Sequence, residues 1–131
     1  MTKILLETPE AMFALGETLA KEYPILFVEW ELWAWKTTLI KWFAQWLGID
    51  ATTVTSPTYT YIQEYNNKLL HIDMYNVTSF DELVQKGIVA LIHEYDRIVI
   101  ERPKFVDQLG VNWLSVSIEK LGWDKRKVYL Q

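Results

Sequence analysis

The sequence predicts an α/β fold: a central, partly parallel (mixed) sheet flanked by helices. Three observations predict it. Two short segments, 25–28 and 97–100, the second apolar from Ile98 onward, read as strands buried on both faces, the pattern of parallel sheets. Helix and strand patterns alternate early in the chain, and strands cluster late. The 131 residues, half of them apolar, suit a single domain, 1–131, that buries its own core.

Thr8-Pro9-Glu10 reads as a helix start: a hydroxyl cap, a proline in the first turn and an acid at the positive end. That helix runs to about Lys21, with Met12, Leu15 and Leu19 on one face, and Pro24 closes the segment. The strand at 25–28 follows. A second helix starts near Lys36 and runs to about Leu47, with Leu39, Phe43 and Leu47 at helical spacing and Gly48 as its stop. Tyr59 to Tyr65, rich in β-branched and aromatic residues, is a strand; Asn66-Asn67 is a turn and Lys68 to Ile72 the returning strand of a hairpin. Ser79 caps a short helix to Lys86, ended by Gly87, and another covers Val89 to His93. Arg97 to Ile100 is a buried strand stopped by Glu101 and Pro103, and Leu114 to Ile118 and Lys127 to Leu130 close the sheet.

Composition excludes several classes. Without cysteine there is no disulfide framework and no thiolate metal site. A net charge of -4 argues against a large nucleic-acid footprint. Charged residues break the apolar stretch between Ile25 and Ile49 too often for a membrane span, and no signal peptide is visible. The expectation is a cytoplasmic protein. One feature is unusual: seven Trp against five Gly, with Trp30, Trp33, Trp35, Trp42 and Trp46 close together.

Four segments can carry chemistry. The first is a strand, a short loop and then Lys36-Thr37-Thr38 opening a helix, the context of a phosphate-binding loop. Backbone N–H groups at the helix start face phosphates, the lysine reaches the β and γ oxygens, and the threonine hydroxyl takes Mg²⁺. The pattern GxxxxGK[ST] falls on Trp30-Glu31-Leu32-Trp33-Ala34-Trp35-Lys36-Thr37, matched except for tryptophan at both glycines. Its plain alternative is a helix with a solvated lysine near its start. The second is Glu101, an acid at the carboxyl end of a buried strand, where open α/β sheets bind ligands, against a strand-ending surface acid. The third is Asp73 in His71-Ile72-Asp73-Met74-Tyr75, a second strand-ending carboxylate; His71 itself reads as a packed or surface strand residue rather than a metal ligand. The fourth, Thr55 to Thr60 around Pro57, suits either a loop sensing a γ-phosphate or an ordinary polar turn.

Taken in order, these segments resemble the TsaE (YjeE) family. Its pattern runs from an LG helix and a strand into GDLGAGKTT, then GLGI, SPTF, NEY, HFDLY, ELxxxGI and IEWPE. The chain reads LGETLA from Leu15, WELWAWKTT from Trp30, WLGI from Trp46, SPTYTYIQEY from Ser56, HIDMY from His71, DELVQKGI from Asp81 and IERPK from Ile100. The resemblance spans about Thr8 to Val128 and implies a P-loop NTPase-like three-layer sandwich that binds and weakly hydrolyses ATP with Mg²⁺. It implies work beside TsaB and TsaD proteins in attaching threonylcarbamoyl to adenosine 37 of tRNA, so that tRNA is met through the complex. By position it makes the phosphate loop Trp30, Glu31, Leu32, Trp33, Ala34, Trp35, Lys36, Thr37 and Thr38. Lys36 is then the phosphate lysine, Thr37 and Glu101 the Mg²⁺ site, Asp73 the group positioning catalytic water and Ser56 to Thr58 the switch-like segment. Thr8 and Asp124 to Lys127 are the expected adenine neighbours.

The departures are concentrated. The family has glycine where this chain has Trp30, Trp33 and Trp35, commonly also at Trp42 and Trp46, and tryptophan at Arg102. Loop glycines permit positive φ and let the backbone lie against phosphates; an indole fills that volume. One replacement repeated at family glycines is what a gene that reads UGA as glycine yields when translated with UGA as tryptophan, and a reassigned arginine codon accounts for Arg102. Taken as written, the chain is instead a nucleotide-free pseudo-ATPase that binds a protein partner, with Trp42, Phe43 and Trp46 extending a packed helix face. Single-stranded RNA stacking on the tryptophans is a third reading, disfavoured by the acidic charge.

Overall fold

The computed structural model describes residues 2–23, 25–30, 36–54, 62–121 and 126–131. They form seven strands: β1 (Thr2–Leu6), β2 (Ile25–Trp30), β3 (Ile62–Tyr65), β4 (Leu69–Asp73), β5 (Ile98–Glu101), β6 (Leu114–Lys120) and β7 (Arg126–Leu130). Five α-helices accompany them: α1 (Pro9–Glu22), α2 (Lys36–Trp46), α3 (Phe80–Gln85), α4 (Ile88–Glu94) and α5 (Val106–Leu109). A 3-10 turn covers Ala51–Thr53.

All seven strands belong to one sheet, in the order β1-β7-β6-β2-β5-β4-β3. Its centre is parallel: β2 pairs with β5 and β6, and β4 with β5. Both flanks are antiparallel, β3 on β4 and β1 on β7 on β6. β4 and β5 are buried along their whole length, so both of their faces are covered. Side chains alternate along each strand, so β4 and β5 feed two cores. Leu69 and Val99 join α1 and α2 residues Met12, Leu19, Leu39 and Phe43 on one face. Leu70, Ile72, Ile98 and Ile100 join Leu83, Ile88, Ile92 and Leu109 from α3, α4 and α5 on the other. Helices, sheet and helices make the three layers expected.

Local signals act as the sequence predicts. The Thr8 hydroxyl accepts from Ala11 N–H at 3.1 Å and Ser79 Oγ from Glu82 N–H at 3.2 Å, each occupying an orphan donor of a first helical turn. Gly48 and Gly87 end their segments at φ of 83° and 76°, where a Cβ is strained. Asn66 and Asn67 turn the β3–β4 hairpin in the same left-handed region. Two elements carried no expectation. β1 is five residues long and mostly exposed, an edge strand with little apolar alternation, and α5 is a single turn. Residues 59–61 of the expected third strand and the 31–35 and 55–61 loops lie outside the described residues. Among the described residues, no helix is long and apolar enough to cross a membrane.

Candidate functional site at the carboxyl ends of the central strands

The site is built by strand register. Asp73 ends β4, Glu101 ends β5, and the two are direct partners across parallel strands. Glu101 also stands beside Val28 of β2, two residues before β2 ends. From Trp30 only residues 31–35 separate β2 from the start of α2 at Lys36. Two acids and the first turn of a helix thus converge at one end of the sheet. Alternation puts His71, Asp73, Val99 and Glu101 on the face that α1 and α2 cover. Chain connections leave adjacent strands on opposite faces here: α2 follows β2 over one, α5 follows β5 over the other. Such a divergence opens a crevice outside the carboxyl ends of the strands.

The carboxylates are deeply placed, Glu101 fully buried and Asp73 3 % exposed. A buried charge needs a partner. For Glu101 that partner is His71, itself 1 % exposed, whose Nε2 lies 2.9 Å from Oε2. The two residues come from adjacent strands and are diagonal neighbours on the same face, since His71 pairs with Val99 in register. Asp73 is held twice: Oδ1 accepts from Tyr75 N–H at 3.0 Å and Oδ2 from Arg102 Nη2 at 2.5 Å. The Arg102 guanidinium also sits 4.4 Å from the Tyr75 ring centroid, in cation–π geometry.

The loops after β4 and β5 are tied to each other. Lys104 Nζ donates to the carbonyls of Tyr75 and Val77, both at 2.9 Å. Strain accompanies this tie: Arg102 and Phe105 have φ of 49° and 57°. Arg102 precedes Pro103, which disfavours helical backbone as well. A non-glycine residue in that region costs roughly 1–2 kcal/mol, and such outliers collect where function constrains the chain.

Sequence reasoning placed Asp73 and Glu101 at strand ends, and the fold brings them side by side. Helix α2 begins at the expected Lys36; the side chains of Trp30, Lys36, Thr37 and Thr38, and residues 31–35 entirely, lie outside the described residues, as does the 56–58 segment. Thr8 spends its hydroxyl on the α1 cap, and of 124–127 only Arg126 and Lys127 are described, pairing in β7. His71 was expected to be a packed or surface strand residue; it is packed, and additionally bound to Glu101. Arg102 and Lys104 were missed as site-closing groups, because nothing in IERPK signals that their side chains turn back onto the β4 loop.

The two carboxylates are of a kind that could serve a divalent cation. Among the described residues no three His, Asp or Glu side chains cluster as a metal cage. Mg²⁺ does not need one: it keeps several waters and takes one or two carboxylates plus phosphate oxygens. Glu101 would supply such a carboxylate.

Known proteins similar to this chain point to one family. Residues 6–128 match the family model described as threonylcarbamoyl adenosine biosynthesis protein TsaE. The chain is 34% identical over 126 residues to the tRNA threonylcarbamoyladenosine biosynthesis protein TsaE of Bacillus subtilis, covering 93% of this chain and 78% of that one. It is 34% identical over 137 residues to the protein of that name from Aquifex aeolicus, with 98% and 94% covered. The crystal structure of YdiB from Bacillus subtilis superposes with a TM-score of 0.68 at 28% identity, covering 97% of this chain and 82% of that one. With its P-loop NTPase-like fold and a match that runs through both strand-ending carboxylates, the chain belongs to the TsaE family.

Proposed function

We propose that this chain is an ATP-binding, weakly ATP-hydrolysing component of the bacterial machinery that places threonylcarbamoyl on adenosine 37 of tRNA. Its partners are TsaD- and TsaB-like proteins; tRNA is met through that complex, and the working compartment is the cytoplasm. The observation that carries the reading is the pairing of Asp73 with Glu101 at the carboxyl ends of β4 and β5, beside the β2–α2 junction. The names of the two relatives at 34% identity point to the same pathway.

Each residue has a role set by its chemistry. Residues 30–38 form the phosphate loop, in which Lys36 neutralises the β and γ oxygens and Thr38 lies by the α-phosphate. Thr37 and Glu101 would hold Mg²⁺, which would supply charge neutralisation for the phosphates. Asp73 accepts a hydrogen bond from the attacking water and aligns it with the γ-phosphorus. The water oxygen bonds to the γ-phosphorus as the bond from that phosphorus to the β–γ bridging oxygen breaks, giving orthophosphate and ADP, while the water proton passes to a carboxylate or phosphate oxygen. A carboxylate offers about four lone-pair sites, so the Tyr75 and Arg102 bonds leave Asp73 with capacity for a water.

The tryptophans of the loop are the obstacle, and they define the test. The full chain as written and a W30G/W33G/W35G variant are titrated with ATP·Mg²⁺ by calorimetry. Binding by the variant alone, abolished by a further K36A change, is expected. No binding by either form overturns the reading and favours the nucleotide-free, partner-binding alternative. Sequencing the gene adds a direct check: UGG codons at Trp30, Trp33 and Trp35 would exclude the decoding explanation.

A further inference from the structure

We propose that His71 is the positioning residue for Glu101, holding one carboxylate oxygen so that the metal and its water shell are met through the other alone. The proposal rests on the ATP·Mg²⁺ reading above. Both residues are almost wholly buried, and the contact is a single 2.9 Å bond between His71 Nε2 and Glu101 Oε2. With Nε2 protonated, His71 donates to Oε2 and occupies that oxygen.

A carboxylate at the end of a strand can otherwise rotate about its terminal torsion and offer either oxygen, or both, to a cation. The His71 bond restricts that freedom. Mg²⁺ demands near-ideal octahedral geometry, so a fixed single oxygen suits it better than a mobile pair. Groups that orient a metal ligand from behind act in this manner. Sequence position explains why His71 can do so: two residues before Asp73 on β4, it shares the face of both acids and reaches across to the neighbouring strand.

The test uses the full-length W30G/W33G/W35G chain with H71L and with H71Q, whose amide keeps an N–H donor. ADP is titrated calorimetrically with Mg²⁺ and again with EDTA. H71L is expected to leave metal-free ADP affinity unchanged and to weaken the Mg²⁺-dependent step by about 10-fold or more, with H71Q recovering most of it. An unchanged metal step, or an equal loss with and without metal, overturns the positioning role while leaving the ATP reading intact. Absence of ADP binding before His71 is altered removes both. Independently of nucleotide, ¹⁵N shifts of the His71 ring in the chain as written are expected to show a proton on Nε2; a ring protonated at Nδ1 alone would also overturn the proposal. That spectrum decides the matter should H71L fail to fold.

Discussion

Arg102 holds Asp73 from a backbone conformation that arginine rarely adopts: its Nη2 meets Oδ2 at 2.5 Å while its φ is 49°. The two facts pull against each other. The Arg102 side chain is 42% exposed and that of Asp73 4%, so water screens only one end of the ion pair. The left-handed backbone costs roughly 1–2 kcal/mol. Arg102→Ala loses the pair and keeps the strain, whereas Arg102→Gly loses the pair and relieves the strain. The glycine variant is therefore expected to be more stable than the alanine variant by about 1 kcal/mol, reversing the usual order. Urea denaturation midpoints of the two variants check this; an alanine variant equal to or more stable than the glycine one would contradict it.

The two acids should separate by function. In the W30G/W33G/W35G chain, Glu101→Gln is expected to weaken Mg²⁺-dependent nucleotide binding, since a neutral amide is a poor Mg²⁺ ligand. Asp73→Asn is expected to leave binding within about twofold and to lower kcat by about 10²-fold, the low end for a positioned acid–base group. Paired calorimetry and phosphate-release assays separate the two outcomes.

Much of this architecture is legible in the sequence because the relevant forces are local. The apolar runs 25–28 and 98–100 declare doubly covered strands, and Thr8 and Ser79 declare helix starts. Asp73 and Glu101 could be placed at strand ends because polarity changes abruptly after Ile72 and Ile100. What could not be read is lateral. The pairing of β4 with β5 rather than with β2 sets Asp73 against Glu101, and it arises from chain topology. The His71–Glu101 bond depends on the same register, so a histidine that looked like ordinary strand packing became part of the site. β1 was missed because an exposed edge strand carries little alternating burial, and its place is fixed by pairing with β7. Among the tryptophans, the expected packed helix face holds for Phe43, which is fully buried, and less for Trp46, which is 40% exposed.

Tyr95 provides a pH marker remote from the nucleotide chemistry. Its hydroxyl donates to Glu64 Oε1 at 2.5 Å, linking the end of α4 to β3. Burial first, then the Glu64 hydrogen bond and charge, push the phenol up to about 12, from an ordinary value near 10. The folded state thus holds this proton more tightly than the unfolded one. The resulting stabilisation is complete below about pH 10 and disappears as pH rises through about 12. Tyr95→Phe is expected to flatten the alkaline loss of stability over that window, and Glu64→Gln to bring the Tyr95 ionisation down in a tyrosinate-absorbance titration. An unchanged titration in Glu64→Gln would assign the shift to burial alone.

Gly16 and Trp42 should prove energetically coupled. The helices α1 and α2 meet so closely that a Cβ on Gly16 would lie 2.9 Å from Trp42 Cβ and 3.2 Å from both Phe43 N and Trp42 C. Two of those three neighbours are backbone, which cannot swing aside. Gly16→Ala gains at most about 1 kcal/mol of helix propensity, and overpacking costs typically about 1–3 kcal/mol. A net destabilisation of about 1–2 kcal/mol is expected. Trp42→Gly removes the Cβ contact, and with it the edge-on packing of the indole on Phe13, whose centroid lies 4.9 Å away. It also removes Nε1, a buried donor without a partner among the described residues. In the Trp42→Gly background the cost of Gly16→Ala should fall by about half, because only the backbone contacts remain. A double-mutant cycle on denaturation free energies measures this directly. Strict additivity would mean that the helices move apart to admit the methyl group, and that the tight α1–α2 contact does not constrain residue choice at position 42.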